Sequence, residues 1–144
     1  MKITECWLQE KSACSDGIDW FKNQSETDAI KLIEKLMIER KFLWANWLIV
    51  HVLSIRQCVR YSIFAAESVL FNFENKFPSD NRPRLAIESA KKFLAGAADS
   101  AAYSAAYSAY SAARAADSAA YRAAARAAYE KIIQYGISLF EEKN

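Results

Sequence analysis

Few side chains of this sequence could do chemistry. Its one histidine, His51, lies in the run FLWANWLIVHVL from Phe42 to Leu53, and its three cysteines, Cys6, Cys14 and Cys58, form no CxxC pair. A nucleophilic triad or a histidine-based metal site needs partners at defined spacing, and no GxSxG, HExxH or P-loop pattern supplies them. His51 therefore reads as a packed core histidine. The cysteines read as small buried apolar residues, reduced and outside any disulfide framework. No catalytic residue, cofactor or metal is expected.

Two other groups of side chains invite a reading. Arg82 and Arg84 flank Pro83 in PSDNRPR, where a helix should begin and where cations oppose the helix dipole. They need anionic partners: Glu88, one turn beyond Arg84, is a local candidate, with Asp80 and Asp16 as others. The expected role of Asp80, Arg82, Arg84 and Glu88 is a structural charge cluster that locks the turn. The second group lies in the alanine-rich stretch from Ala97 to Tyr129. At 100° per residue, Tyr103, Tyr107, Tyr110, Arg114, Asp117 and Tyr121 fall on one stripe with 4-3-4-3-4 spacing. Tyrosine places an apolar ring against a surface while its hydroxyl stays wet, so the stripe is a candidate partner-binding face, with fold-forming packing the favoured reading of the two.

The elements that must carry these groups are helices. The chain has 144 residues, 53% of them hydrophobic and 13% aromatic, with only three Gly and two Pro. That is one all-α domain over 1–144, expected as a compact bundle of about six to seven helices. A helix is predicted from Ala13 to Lys22, weakened by Gly17. Ser25 with Asp28 predicts the start of a second, which runs through Ile30, Ile33, Leu36 and Met37 to about Arg40. Phe42 to Leu53 forms a third, apolar nearly all round. Ser54 and Gln57 make a capping-box pattern that opens a long fourth helix, ended by Pro78. Asp80 or Asn81 caps a fifth, with Pro83 in its first turn, and that helix stops near Gly96.

The C-terminal third holds alanine-rich helices. Of the residues from Ala97 to Ala128, 18 are Ala and none is Gly or Pro, which is a helix and not a linker. AADSAAY occurs at Ala97 to Tyr103 and again at Ala115 to Tyr121, an offset of five helical turns. One helix from Ala97 to Phe140 would be about 66 Å long, against a radius of gyration of roughly 14–15 Å for a globule of this size. A break near Arg114 to Ser118 is predicted, with Asp117 or Ser118 as the second cap.

Charge names no partner, since nineteen basic and seventeen acidic side chains leave a formal +2; neither nucleic acid nor membrane is expected. The apolar run from Phe42 is too short to span a bilayer and is interrupted by Asn46 and His51. MKITECWLQEK lacks the basic and apolar regions of a secretory signal, so the expected compartment is the cytoplasm. Trp20, Trp44 and Trp47 are expected in the core.

Several pieces together resemble the immunity proteins of bacterial polymorphic-toxin systems, in the alanine-rich group similar to immunity type five. They are Ala13-Cys14 with Gly17 and Trp20, Trp44 with Trp47-Leu48, Asp80-Asn81-Arg82-Pro83-Arg84 followed by Ala86-Ile87, and the alanine and tyrosine tract. Asn81 stands where the family pattern leads one to expect a second Asp. The resemblance implies an intracellular all-α protein that binds and neutralises a cognate toxin by protein–protein contact, without catalysis. The alternative is a helical scaffold or self-association module, such as a homodimer closed through the alanine face. An enzyme or small-ligand protein built on Arg82, Arg84 and Asp80 is the third and weakest reading.

Overall fold

The computed structural model describes residues 1–96 and 126–142. Among them are seven helices and no strand: α1 (Glu5–Glu10), α2 (Ser15–Lys22), α3 (Ala29–Ile38), α4 (Phe42–Val52), α5 (Ile55–Lys76), α6 (Arg82–Leu94) and α7 (Arg126–Glu141). The expected break near Arg114 to Ser118 lies outside the described residues. The chain divides into two units, Met1–Val52 and Leu53–Asn144.

In the first unit α3 packs on α4, and α1 packs on α2. The buried residues of α3, Ala29, Leu32, Ile33 and Leu36, follow the i, i+3, i+4, i+7 pattern of a single helical face. On α4 the buried set is Phe42, Ala45, Leu48, Ile49 and Val52. Asp28 caps α3 by accepting from the backbone N–H of Ile30 and Lys31 at 3.1 and 3.3 Å. This corrects the sequence expectation, in which Ser25 held that place: a carboxylate two and three residues before its donors satisfies two orphan N–H groups at once.

Helix α1 was not foreseen, because six residues are too few to display a period. Its signal is Thr4, whose Oγ1 accepts from the Trp7 N–H at 3.2 Å. α1 and α3 both end without glycine. Ser12 and Arg40 adopt φ of 59°, and the N–H groups that follow them, of Ala13 and Lys41, reach back to the carbonyls of Leu8 and Leu36 at 2.9 and 2.8 Å. That closure satisfies the last carbonyls of each helix, at a cost of about 1–2 kcal/mol for each non-glycine residue in the left-handed region.

In the second unit α5 packs against both α6 and α7. Two of its faces do this. Val59 and Ile63 are buried with Ile87 and Ala90 of α6, and Ala66, Leu70, Phe93 and Leu94 pack around them. A different row, Gln57, Arg60 and Phe64, meets α7: the Phe64 ring stacks on Tyr135 at 4.2 Å, and Arg60 forms a two-pronged ion pair with Glu142 at 2.6 and 3.2 Å. The α5 capping box is present in full. α6 starts with Pro83 in its first turn, and the chain leaves it through Gly96 at φ 91°, a conformation only glycine adopts without strain.

Gln57 is buried and polar, and both ends of its amide are used. Its Oε1 accepts from the Ser54 N–H and hydroxyl at 2.9 and 2.7 Å, while its Nε2 donates to the Leu139 carbonyl of α7. Gln57→Ala should therefore cost about 2–3 kcal/mol, because a buried carbonyl and an N–H both lose their partner. Ser54→Ala, which removes only the cap, should cost about 1 kcal/mol. Urea denaturation of the two variants checks this; equal losses would mean that the tie to α7 adds nothing.

Candidate functional site

The charged turn between α5 and α6 is built from a hairpin of helices. α5 ends at Lys76, the N–H of Phe77 returns to the Phe73 carbonyl at 2.8 Å, and the Asp80 N–H donates to the Phe77 carbonyl at 3.1 Å. Asp80 then does the work of a cap. Its Oδ1 accepts from the Arg82 backbone N–H at 3.1 Å, and both carboxylate oxygens receive the Arg82 guanidinium at 2.9 and 2.6 Å. Asn81, which occupies the cap position, makes no side-chain cap bond. The Arg82 guanidinium and backbone N–H hold the Asp80 carboxyl down at about 2.

Arg84 does not turn to Glu88. Its fork meets Glu74 of α5 with two bonds of 2.8 Å, because α5 and α6 run antiparallel and position 74 lies across from position 84. Two helical turns further along the same pair, Lys91 meets Glu67 at 2.6 Å. Asp80 and Glu74 thus place negative charge beside the start of α6, which offsets the unfavourable position of the two arginines against the helix dipole. The turn therefore holds two separate pairs, Asp80 with Arg82 and Glu74 with Arg84, and Glu88 is exposed. Asp16, the remaining candidate partner, instead accepts from the Ser15 hydroxyl at 3.3 Å. Both arginine forks are occupied by carboxylates.

Tyr103, Tyr107, Tyr110, Arg114, Asp117 and Tyr121 lie outside the described residues. Two tyrosines beyond the stripe are described: Tyr129 is buried and Tyr135 lies against Phe64.

The tryptophans are half-buried and not closed into a core. Trp7 meets Trp47 edge to face at 6.2 Å, and Trp20 meets Trp44 likewise at 6.4 Å. His51 is half-buried too; its ring stacks on Trp47 at 4.1 Å and its Nδ1 donates to the Trp47 carbonyl at 2.7 Å. That bond fixes the proton on Nδ1, because a carbonyl can only accept. Of the cysteines only Cys58 is buried, and burial pushes its thiol up to about 11, a value at which it is a poor nucleophile. Cys6 and Cys14 are exposed, against the sequence expectation. Cys6 sits on the outer side of the short helix that the sequence did not reveal, and its Sγ lies 3.5 Å from Glu10, whose carboxylate raises the thiol's pKa. Among the described residues no three His, Cys, Asp or Glu side chains converge as a metal site would require. No described helix is long and apolar enough to cross a membrane.

The two pairs of the turn respond differently to perturbation. Since the folded pKa of Asp80 lies below its ordinary 3.8, its pair contributes stability above about pH 4 and loses it as pH falls towards 2. A carboxyl-resolved NMR titration should place Asp80 near 2, and Arg82→Ala should bring it most of the way back to the ordinary value. Arg84→Ala should cost less than about 1 kcal/mol, since Glu74 and Arg84 are both partly open to solvent. A thermal-melt loss well beyond that would mean that the pair is shielded more than its exposure implies.

The model of one protein family, described as Imm-5 like putative immunity protein, matches residues 49–130. No curated protein and no solved structure matches. The match takes in α5, the charged turn, α6 and the alanine tract, and stops early in α7. Asp80 to Arg84, Ala86-Ile87 and the tyrosine stripe fall within it, whereas Ala13 to Trp20 and Trp44 to Leu48 fall outside, so the coverage is narrower than those motifs implied. The match spans more than half of the chain, and the chain belongs to the Imm-5 like putative immunity protein family.

Proposed function

We infer that this protein binds a cognate bacterial toxin in the cytoplasm and neutralises it by occupying its surface, with no catalytic step. The family match over residues 49–130 carries the reading. The charged turn fits it as scaffold, since both of its arginine forks are held by neighbouring carboxylates. The contact face we assign is the stripe of Tyr103, Tyr107, Tyr110, Arg114, Asp117 and Tyr121. The support is its composition: rigid amphipathic rings supply contact area at little entropic cost, and tyrosine and arginine dominate binding hot spots.

The test is co-expression with the product of the adjacent reading frame in a bacterial host whose growth that product arrests. Growth should return only when the immunity chain is made in at least equimolar amount, and the two chains should elute together as a stoichiometric complex. Protection by a small fraction of an equivalent would indicate turnover. Elution of the chain alone as a dimer, with no protection, would favour self-association. Tyr107→Ala and Arg114→Ala should each weaken the complex by more than about 1 kcal/mol, roughly fivefold in Kd, with the melting temperature unchanged. Unaltered affinity in both variants would place the contact face elsewhere.

A further inference from the structure

The first unit encloses a cleft of about 370 Å³ to which every lining residue is contributed by Met1–Val52. Its walls are aromatic and aliphatic: Trp20, Phe21, Trp44 and Trp47, with Leu36 and Leu48. Each tryptophan of the lining is held by residues that are not part of it. The Trp20 Nε1–H donates to Glu39 at 2.7 Å, the Lys41 ammonium lies over Trp44 at 4.7 Å, and Trp47 is clasped between Trp7 and His51. None of Glu39, Lys41, Trp7 and His51 lines the cleft, so those contacts fix the rings without occupying it.

Gly17 adds to that space. It sits inside α2, where glycine costs about 1 kcal/mol relative to alanine, and it lines the cleft. A Cβ built there would meet the Sγ of Cys14, another lining residue, at 3.3 Å. A side chain at position 17 would strengthen the helix and crowd the cavity; its absence keeps the cavity open. A volume of this size lies within the roughly 300–1,000 Å³ range of small-molecule sites.

The lining also selects the chemistry of what enters. No Asp, Glu, Lys or Arg lines the cleft, and the Trp20 N–H is already spent on Glu39. Only the Ser12 hydroxyl and the Cys14 thiol bring a polar side-chain atom to the lining besides the indole N–H groups. A charged guest would lose its hydration with no ion to replace it, whereas aromatic faces and leucine side chains reward an apolar ring system. We propose that the cleft between α2 and α4 is a binding site for one uncharged, ring-containing apolar small molecule, about the size of two or three fused or linked rings. The site lies in the part of the chain beyond the family match, and the inference is independent of the toxin reading.

The probe is N-phenyl-1-naphthylamine, an uncharged three-ring fluorophore, titrated into the full chain carrying Cys6→Ser so that Cys14 is the exposed thiol. Saturable emission with one equivalent bound per chain is expected, together with at least fivefold slower alkylation of Cys14 by N-ethylmaleimide. Gly17→Leu should weaken binding at least tenfold by filling the cleft. Leu43→Lys, at a rim position that is 51% exposed and so tolerant of substitution, should weaken it at least fivefold by bringing a charge to the mouth. Circular dichroism melts establish that each variant is folded, and the Leu43 variant keeps the test intact if Gly17→Leu is not. Absence of saturable binding, retained affinity in the folded variants, or an unchanged Cys14 alkylation rate would each overturn the proposal.

Discussion

A single buried amide holds the second unit in register. The Gln57 side-chain amide makes three hydrogen bonds in a buried setting, two accepted from the Ser54 cap on one side and one donated to the Leu139 carbonyl on the other. Because Gln57 sits on the first turn of α5, its orientation sets which residues of that helix face α7 and which face α6. The row through Arg60 and Phe64 then meets Glu142 and Tyr135, and the row through Val59 and Ile63 meets Ile87 and Ala90. Rotating α5 by one residue would strand the amide and misalign both rows, so the polar group specifies a packing that the apolar residues alone would leave degenerate.

The first unit reaches order by other means. Its helices are short, and their ends are closed by Thr4, Asp28 and the left-handed residues Ser12 and Arg40. The tryptophans add broad, stiff surfaces, the Trp20 N–H tied to Glu39 and the Trp47 ring stacked on His51. These ties add to the buried aliphatic faces of α3 and α4, and beside that packed core the unit keeps a cleft walled by half-buried rings.

What the sequence disclosed follows the range of each interaction. The capping box at Ser54 and Gln57, Pro83 in the first turn of α6 and the amphipathic face of α3 are written within four to seven residues, and all were legible. The donation from Gln57 to Leu139, 82 positions away, was not, because nothing near Gln57 distinguishes a cap from a tie between helices. The same holds for Arg84: Glu88 was the partner within one turn, but the antiparallel return of the chain offered Glu74 in better geometry. Cys6 and Cys14 misled for a different reason. Their burial was inferred from residue type, whereas both sit on short helices or helix ends with one side open. The candidate contact stripe rests on periodicity alone, which fixes a face of a helix without saying what covers it.

The bond between Gln57 and Leu139 also bears on the order in which the protein can be made. The helix pairs of the first unit are neighbours in sequence, α1 with α2 and α3 with α4, and even its Trp7–Trp47 contact can form once that unit alone has been made. The Gln57 amide waits for a carbonyl that emerges only after α6 and the whole alanine tract have been synthesised. Until then α5 carries a buried-type polar group with one of its three hydrogen bonds unmade, next to the apolar row that packs on α6. Closing so long a stretch of chain is entropically slow, and it sets the interval during which the apolar and polar faces of α5 lack the partners supplied by α7.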